Sequence, residues 1–232
     1  MTQTQVVIGT VSVLLASNLL GVLYSIVVLR TDVFSNFRIQ KKKYKEGIFK
    51  ARFGLYFFNL VVLMAFSAGG AYALYDYIDT SFSSGWIIAA QVIAAFVIDD
   101  VWFYFMHRYM HENKYLLKKI HSIHHRSSTP FPLEYLYAHP LEWMTGMIGL
   151  AIAFLLILAI MPINVYAFWI FGVIRNLHEI QIHSDLELPL ISKLPLISKT
   201  RHHDDHHAKL DGNYASTFLW WDKIFKTELK SE

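Results

Sequence analysis

The amino-acid sequence predicts an all-α integral membrane helical bundle, with four or five membrane segments and a cytosolic, helical, histidine-rich cap. Three observations predict this architecture. Hydrophobic residues make up 54% of the 232 residues and charged residues only 17%, long runs lack any charge, and all twelve histidines follow position 106. This balance is apolar for a soluble domain, and the length suits one compact unit. The absence of cysteine excludes disulfide scaffolds and thiolate metal sites.

The first half of the chain carries three runs that are long enough to cross a bilayer as helices. They cover residues 6–29, 53–75 and about 86–106, and a helical span needs roughly 20 apolar residues. The third run contains Asp99 and Asp100 in its last third. A carboxylate inside a span costs roughly 2.5–3.5 kcal/mol and usually has a functional partner, although aspartates near the interface could also simply be hydrated.

The stretch 143–182 predicts a membrane hairpin. It is too long for one span and is interrupted by Pro162 and Asn164, which places the turn near 161–164. A hairpin that dips into the bilayer without fully crossing it is the alternative. The chain then has four or five membrane segments, depending on this stretch.

The positive charges favour the hairpin over a single crossing. All 21 Lys and Arg residues lie in three segments, residues 30–52, 108–126 and 175–230. A hairpin places all three segments on one side of the membrane. The positive-inside rule assigns that side to the cytosol, whether the membrane is a bacterial inner membrane or that of the endoplasmic reticulum. We expect the run Lys41–Lys45 to contact anionic lipid headgroups or an acidic redox partner. The small net charge of +3 gives no indication of nucleic-acid binding.

Most of the histidines fall in three clusters with matching spacing. His107 and His111 lie four residues apart at the mouth of the third span, which on a helix places both rings on one face. Asp100 precedes them on nearly the same stripe and could orient a ligand ring. The motifs HSIHH and RHHDDHH each add three histidines spaced i, i+3, i+4, whose adjacent pair could splay toward two metals: His121, His124, His125, His203, His206 and His207.

This inventory predicts a site for two metal ions. A single cluster could be a solvated run of surface histidines, but three clusters together would supply each of two ions with four or five nitrogen ligands. Imidazole suits first-row transition metals, and the lack of thiolate removes cysteine-based structural zinc sites. Two irons at the membrane face would explain why lipid, dioxygen and reductant can meet there. Zinc is expected only as a substitute in purified material.

Five segments resemble the fatty acid hydroxylase and sterol desaturase superfamily. They are DDVWFYFMHRYMH at 99–111, KKIHSIHHRSSTPFPLEYLYAHPLE at 118–142, QIHSDLELP at 181–189, HHDDHH at 202–207 and NYASTFLWWDKIF at 213–225. The resemblance implies a membrane oxygenase that hydroxylates or desaturates a sterol-like, fatty acyl or alkyl lipid. It also implies O2 and a separate electron donor, a b-type cytochrome or a ferredoxin with its reductase. Residues 98–232 would form the catalytic region, including the hairpin, and residues 1–97 the first spans and the basic loop.

The resemblance assigns nine metal ligands and no separate acid or base. The ligands are His107, His111, His121, His124, His125, His183, His203, His206 and His207. Five further residues either surround the ligands or have no settled role: Asp100, His139, Glu142, His178 and His202. His139 could equally cap a turn ahead of Pro140. The matching Asn213, Trp221 and Asp222 are expected to pack the C-terminal tail.

Two alternatives stay open at this point. Carotenoid hydroxylation is one, because related histidine motifs occur in those enzymes. A histidine-rich membrane protein that binds or transports metal is the other, although transport sites normally lie near the bilayer midplane.

Overall fold

A computed structural model describes residues 1–229 and confirms an all-α membrane bundle. Its helices are α1 (Gln3–Arg30), α2 (Ile48–Ala73), α3 (Gly85–Glu112), α4 (Lys114–Lys119), α5 (Pro140–Leu158), α6 (Val165–Ile182), α7 (Pro189–Ser192), α8 (Thr200–Lys209) and α9 (Trp220–Ile224). Two strands of two residues each also form, β1 (Ile78–Asp79) and β2 (Ile163–Asn164). Short 3-10 helices include residues 121–126 and 132–136.

Four helices are long and apolar enough to cross a membrane: α1, α2, α3 and α5. The first three coincide with the three predicted runs. Many of their large apolar side chains face outward, such as Leu23, Phe57 and Ile93. In a soluble protein such surfaces would be costly, whereas a bilayer solvates them. The chain is therefore a multi-pass membrane protein.

Local sequence signals explain where these helices begin. Thr2 and Gln5 form a reciprocal capping box at the start of α1. The Ser84 side chain caps α3, and Asn164 accepts hydrogen bonds from two backbone amides at the start of α6. His139 caps α5, with Pro140 in the first turn. The capping role considered for His139 is thus confirmed.

Helices α5 and α6 occupy the stretch predicted as a membrane hairpin and are separated by residues 159–164, which include β2. In the described residues α5 is long and apolar enough to cross a membrane, and α6 is not among such helices. Both arms, α5 and α6, pack against α3, while α6 also packs against α1 and α1 against α2. Close contact of α3 with α5 depends on Gly149, where a Cβ atom would lie only 2.6 Å from Asp99 Oδ1. Helix α3 is therefore the central element of the bundle.

The two ends of the bundle differ in character. At one end the C-termini of α1, α3 and α6 meet the N-termini of α2 and α5, together with every basic segment. At the other end β1 pairs with β2 in parallel, in the register Ile78 to Ile163. This pairing was not predicted, because two-residue strands leave no alternating pattern in the sequence.

Candidate metal centre

The nine histidines predicted as ligands converge at the basic end of the bundle in two adjacent groups. The five-histidine group comprises His107, His111, His121, His125 and His206. The four-histidine group comprises His124, His183, His203 and His207. Within each group the candidate donor nitrogens all lie within 4.8 Å of one another. No other histidine joins either group among the described residues.

Four chain segments supply the histidines of the two groups, namely α3, the 3-10 helix at 121–126, the C-terminus of α6 and α8. Helix α3 gives both His107 and His111 to the five-histidine group, as the spacing predicts. The 3-10 helix at 121–126 instead splits its cluster, and so does α8. In both segments the i and i+4 histidines enter one group, while the i+3 histidine enters the other. The adjacent histidines therefore point toward different groups, as predicted. The sequence alone did not determine which of the two groups each ring joins.

Short distances join the ring nitrogens within each group. In the five-histidine group, Nε2 of His121 lies 2.8 Å from Nε2 of His111 and 3.2 Å from that of His107. In the four-histidine group, Nε2 of His203 lies 2.9 Å from that of His183 and 3.1 Å from that of His207. The groups touch, since the ring centroids of His125 and His207 are 4.7 Å apart. The two groups therefore form one continuous pocket of donor nitrogens.

Backbone carbonyls fix the orientation of four of these rings. His107 donates from Nδ1 to the Tyr214 carbonyl at 2.8 Å, and His206 donates to the Gly212 carbonyl at 2.7 Å. The other two contacts, at 2.8 and 3.2 Å, join His183 to the Glu179 carbonyl and His124 to the Tyr137 carbonyl. A ring that donates from Nδ1 presents an unprotonated Nε2 on its other side.

The pair His124 and His183 tests whether a cation fits. Both rings donate from Nδ1, so their facing Nε2 atoms are two lone pairs only 3.3 Å apart. Two acceptors at this distance repel each other unless a positive charge lies between them. In the five-histidine group, Nε2 of His206 is buried without a hydrogen-bond partner. The residues present therefore fit metal ions better than a hydrogen-bonded histidine core.

Burial also keeps these rings neutral. It lowers the pKa of His124 to about 4 and that of His183 to about 3, and it lowers the pKa of His203 and His207 well below the ordinary value. The same direction holds for His121, His125 and His206. Neutral imidazole is the form that binds a metal.

Glu142 lies beside one of the histidine rings, and Asp100 does not. The Glu142 carboxylate lies 2.9 Å from His121 Nδ1, a buried atom that forms no hydrogen bond within the described residues. Asp100 reaches no imidazole. It accepts hydrogen bonds from the backbone amides of Thr217 and Phe218 and from the Trp221 indole. The interpretation that Asp100 orients a ligand ring is wrong, because this carboxylate binds the C-terminal segment, the same segment whose Tyr214 carbonyl accepts from His107.

The remaining residues of uncertain role lie outside the two groups. His178 Nε2 lies 2.9 Å from the Ser216 carbonyl, and His202 Nε2 lies 3.2 Å from Asp222. Asp222 is buried and accepts from the Tyr214 and Ala215 amides. Tail packing, the role expected of Asp222, is confirmed, and the tail in turn holds the carbonyl that orients His107.

One cavity connects both histidine groups with the apolar interior of the bundle. Around the centre it is lined by His107, His121, His124, Glu142, His183 and His203. Further inside it is lined mainly by apolar side chains of five helices, among them Leu14, Leu63, Phe103, Leu150, Phe171 and Trp169. A long apolar molecule could therefore reach the histidines from the membrane side.

A charged pair lies in the wall of this cavity. Arg175 of α6 donates from Nε to Asp99 of α3 at 2.6 Å, which gives the intramembrane Asp99 its partner. The sequence places Asp99 in the third span but did not pair it with Arg175. The available signal was that each is a charged residue within or at the end of an otherwise apolar run.

Comparisons with known proteins agree on one family. The family model described as fatty acid hydroxylase matches residues 92–227. Methylsterol monooxygenase 1 of Rattus norvegicus is 34% identical over 204 residues, which cover 84% of this chain and 67% of the relative. Methylsterol monooxygenase erg25B of Aspergillus fumigatus is 37% identical, over 65% of this chain and 52% of the relative.

A very-long-chain aldehyde decarbonylase of Oryza sativa, GL1-11, is also 37% identical, over 61% of this chain and 53% of the relative. The chain thus spans about half the length of the fungal and rice relatives and about two thirds of the rat one. No solved structure matches the chain. The family match covers all five segments in full, and it includes all nine converging histidines. The chain belongs to the fatty acid hydroxylase family.

Proposed function

We propose that the protein is a membrane-bound di-iron oxygenase that hydroxylates or desaturates a sterol-like lipid. The observation that carries the proposal is the cavity, which joins an apolar interior between membrane helices to nine converging imidazoles. Two of the relatives are methylsterol monooxygenases, which favours a sterol-like lipid over a carotenoid. Electrons would come from a separate donor.

Iron suits this donor set. Nine neutral nitrogen ligands and no thiolate favour a first-row transition metal. When bound, two ferrous ions supply the reductive activation of dioxygen that oxidation of an unactivated C–H bond requires. The chain contributes orientation, because the Tyr214, Gly212, Glu179 and Tyr137 carbonyls hold the rings with Nε2 directed inward. The apolar cavity wall excludes bulk water and aligns the lipid.

The test measures metal and product separately. Purified protein is loaded anaerobically with Fe²⁺, its iron content is measured, and it is then exposed to O2, a reductant and a methylsterol. We expect about two irons per chain, and a product that has gained 16 or lost 2 mass units. A chain that binds no iron would contradict the centre, whereas one that binds iron but oxidises no lipid would contradict the oxygenase activity.

We also propose that the metal centre faces the cytosol. All basic segments lie at the histidine end of the bundle, as the positive-inside rule requires for a cytosolic face. Because the chain lacks cysteine, single cysteines can report the topology. A membrane-impermeant maleimide applied to intact cells should label Phe82→Cys and leave Lys43→Cys unlabelled. The opposite pattern would contradict the assignment.

Metal transport is less well supported as the function. A transport site normally lies near the bilayer midplane on interrupted helices. Here the donor nitrogens lie at one end of the bundle, on the last turns of α3, at the C-terminus of α6 and on short helices outside the spans. The iron-loading experiment separates the two functions, since a transporter would bind metal without oxidising lipid.

A further inference from the structure

We propose that Arg175 and Glu179 form a receptor for a hydroxyl group of the lipid substrate. The inference rests on the proposed lipid oxygenase function and adds a feature of the substrate. Both residues lie on α6 and line the cavity that leads to the histidines. Being four residues apart, they project from the same face of the helix.

Arg175 offers unused hydrogen-bond donors inside an apolar cavity. Its Nε donates to Asp99, and its two amino groups donate to no other residue in the described part of the chain. Asp99 neutralises the guanidinium and holds it in place through the contact at 2.6 Å. An intramembrane ionisable residue that faces a cavity usually serves function, because its desolvation is otherwise costly.

Glu179 provides the complementary acceptor one turn away. Its Oε1 accepts a hydrogen bond from Ser216 Oγ at 2.6 Å. Within the described residues its Oε2 forms no hydrogen bond, since the contact to His183 Nδ1, at 3.9 Å, is too long for one. Arg175 and Glu179 do not form an ion pair with each other, so the free donors and the free acceptor both remain available to a ligand.

A hydroxyl matches this arrangement better than other polar groups. Its oxygen can accept from the Arg175 guanidinium while its proton is donated to Glu179. A carboxylate would face two acidic side chains, Asp99 and Glu179, against one guanidinium. A ketone could accept from Arg175 but has no proton to donate.

The receptor lies close to the metal centre along α6. Glu179 precedes His183 by four residues and Arg175 precedes it by eight, which places them about 6 and 12 Å from it along a helix axis. A bound hydroxyl would therefore hold the lipid at a fixed depth below the histidine groups. Its apolar skeleton would fill the remaining cavity, against residues such as Phe171 and Leu150.

Binding, not turnover, tests the proposal. The probes are a methylsterol and the matching deoxy compound, in which hydrogen replaces the hydroxyl. Their dissociation constants can be measured on the detergent-purified protein from tryptophan fluorescence, since Trp143 and Trp169 line the cavity. We expect the methylsterol to bind roughly 10- to 100-fold more tightly, which corresponds to hydrogen bonds with charged partners.

Three variants separate the receptor from general packing. In the double variant Arg175→Met with Asp99→Leu, which removes both partners of the ion pair together, the preference should fall to about one. Glu179→Gln keeps the ion pair intact, so it should lower the preference about 5- to 10-fold and favour the ketone analogue over the sterol. Leu177→Ala is the control, because this side chain is 38% exposed on the same helix and does not line the cavity. It should keep the full preference.

A second probe pair distinguishes failure of the receptor from failure of the proposed substrate class. The second pair is a long-chain primary alcohol and the alkane of equal length. These two molecules also differ only in the hydroxyl group, but on a linear skeleton instead of a sterol. If only the alcohol is preferred, and the preference depends on Arg175, the receptor stands and the sterol-like skeleton is wrong. If the double variant still prefers the hydroxylated probe as strongly as the wild type in both pairs, the proposed hydroxyl receptor is wrong. This conclusion would hold whatever oxidation the enzyme performs.

Discussion

The two histidine groups are held in place by different parts of the chain. In the five-histidine group, His107 and His206 are oriented by carbonyls of Tyr214 and Gly212, in the segment that follows α8. In the four-histidine group, His124 is oriented by Tyr137, in the loop before α5. The first group thus depends on the C-terminal tail and the second on a loop between two spans.

The anchors of these two supports differ as well. The tail is fixed by buried carboxylates that accept from backbone amides, namely Asp222 and Asp100. The loop is fixed by Arg52 of α2, which pairs with the buried Glu134 and lies 4.1 Å from the centre of the Tyr137 ring. The histidine pocket therefore has two separate supports. Although the 3-10 helix at 121–126 and α8 contribute to both groups, we expect each support to affect mainly one of them.

Removal of one ligand from each group gives the largest expected effect. His206→Ala and His124→Ala should each lower turnover more than about 100-fold, because even loss of a supporting contact costs 10- to 100-fold in metal affinity. Each variant should lose metal mainly from its own group, so iron content should fall from about two toward one per chain. His178→Ala is the matched control, since His178 belongs to neither group. Full iron content in either ligand variant would remove that residue from the ligand set.

Arg52→Met should loosen the four-histidine group next most strongly. It leaves the Glu134 carboxylate buried without its cationic partner, which typically costs about 3–5 kcal/mol in the free energy of unfolding. Affinity for the second metal, measured by competition with a chelator, should fall while affinity for the first changes little. The double variant Arg52→Met with Glu134→Gln should recover part of the stability, because no unpaired charge remains. Equal weakening of both metals would contradict independent supports.

Asp222→Asn is the corresponding change at the five-histidine group. The carboxylate accepts from the Tyr214 and Ala215 amides and from Thr227 Oγ1, and an amide in its place would direct an NH2 group at one of these donors. The expected loss is about 1–3 kcal/mol of stability and about 10-fold in affinity for one metal. Chelator competition should show the loss in the five-histidine group only.

The same carboxylate predicts an acid dependence of stability. Burial raises its pKa, but hydrogen bonds from His202, Thr227 and Ala215 outweigh burial, so the pKa of Asp222 lies below its ordinary value. Its contribution is therefore complete above the ordinary pKa, near 4, and is lost as the pH falls through the lower folded value. Unfolding of the metal-free protein followed against pH should show a steeper acid loss in the wild type than in Asp222→Asn.

The sequence predicted the spans and the nine histidines because both signals are local. An uncharged run of sufficient length indicates a membrane span, and a histidine motif indicates nitrogen donors wherever the motif lies in the fold. The division into two groups was not predictable, because it depends on how the 3-10 helix at 121–126 and α8 are placed relative to α3. The ring-orienting carbonyls, such as that of Tyr214, belong to the backbone and leave no trace in residue identity. Asp100 was misassigned because spacing along α3 could not reveal that the C-terminal tail packs against the same stripe of this helix.

The smallest expected effect comes from a contact that both groups share through α8. Gln40, in the basic loop, donates to Asp204 at 2.7 Å, and α8 supplies His203 and His207 to one group and His206 to the other. Gln40→Ala should cost about 0.5–1.5 kcal/mol. Because α8 is one rigid helix, affinity for both metals should fall by a similar, small factor in the chelator competition. If affinity falls for one metal only, α8 must tilt about its other contacts when Gln40 is removed. The two supports would then be coupled through α8.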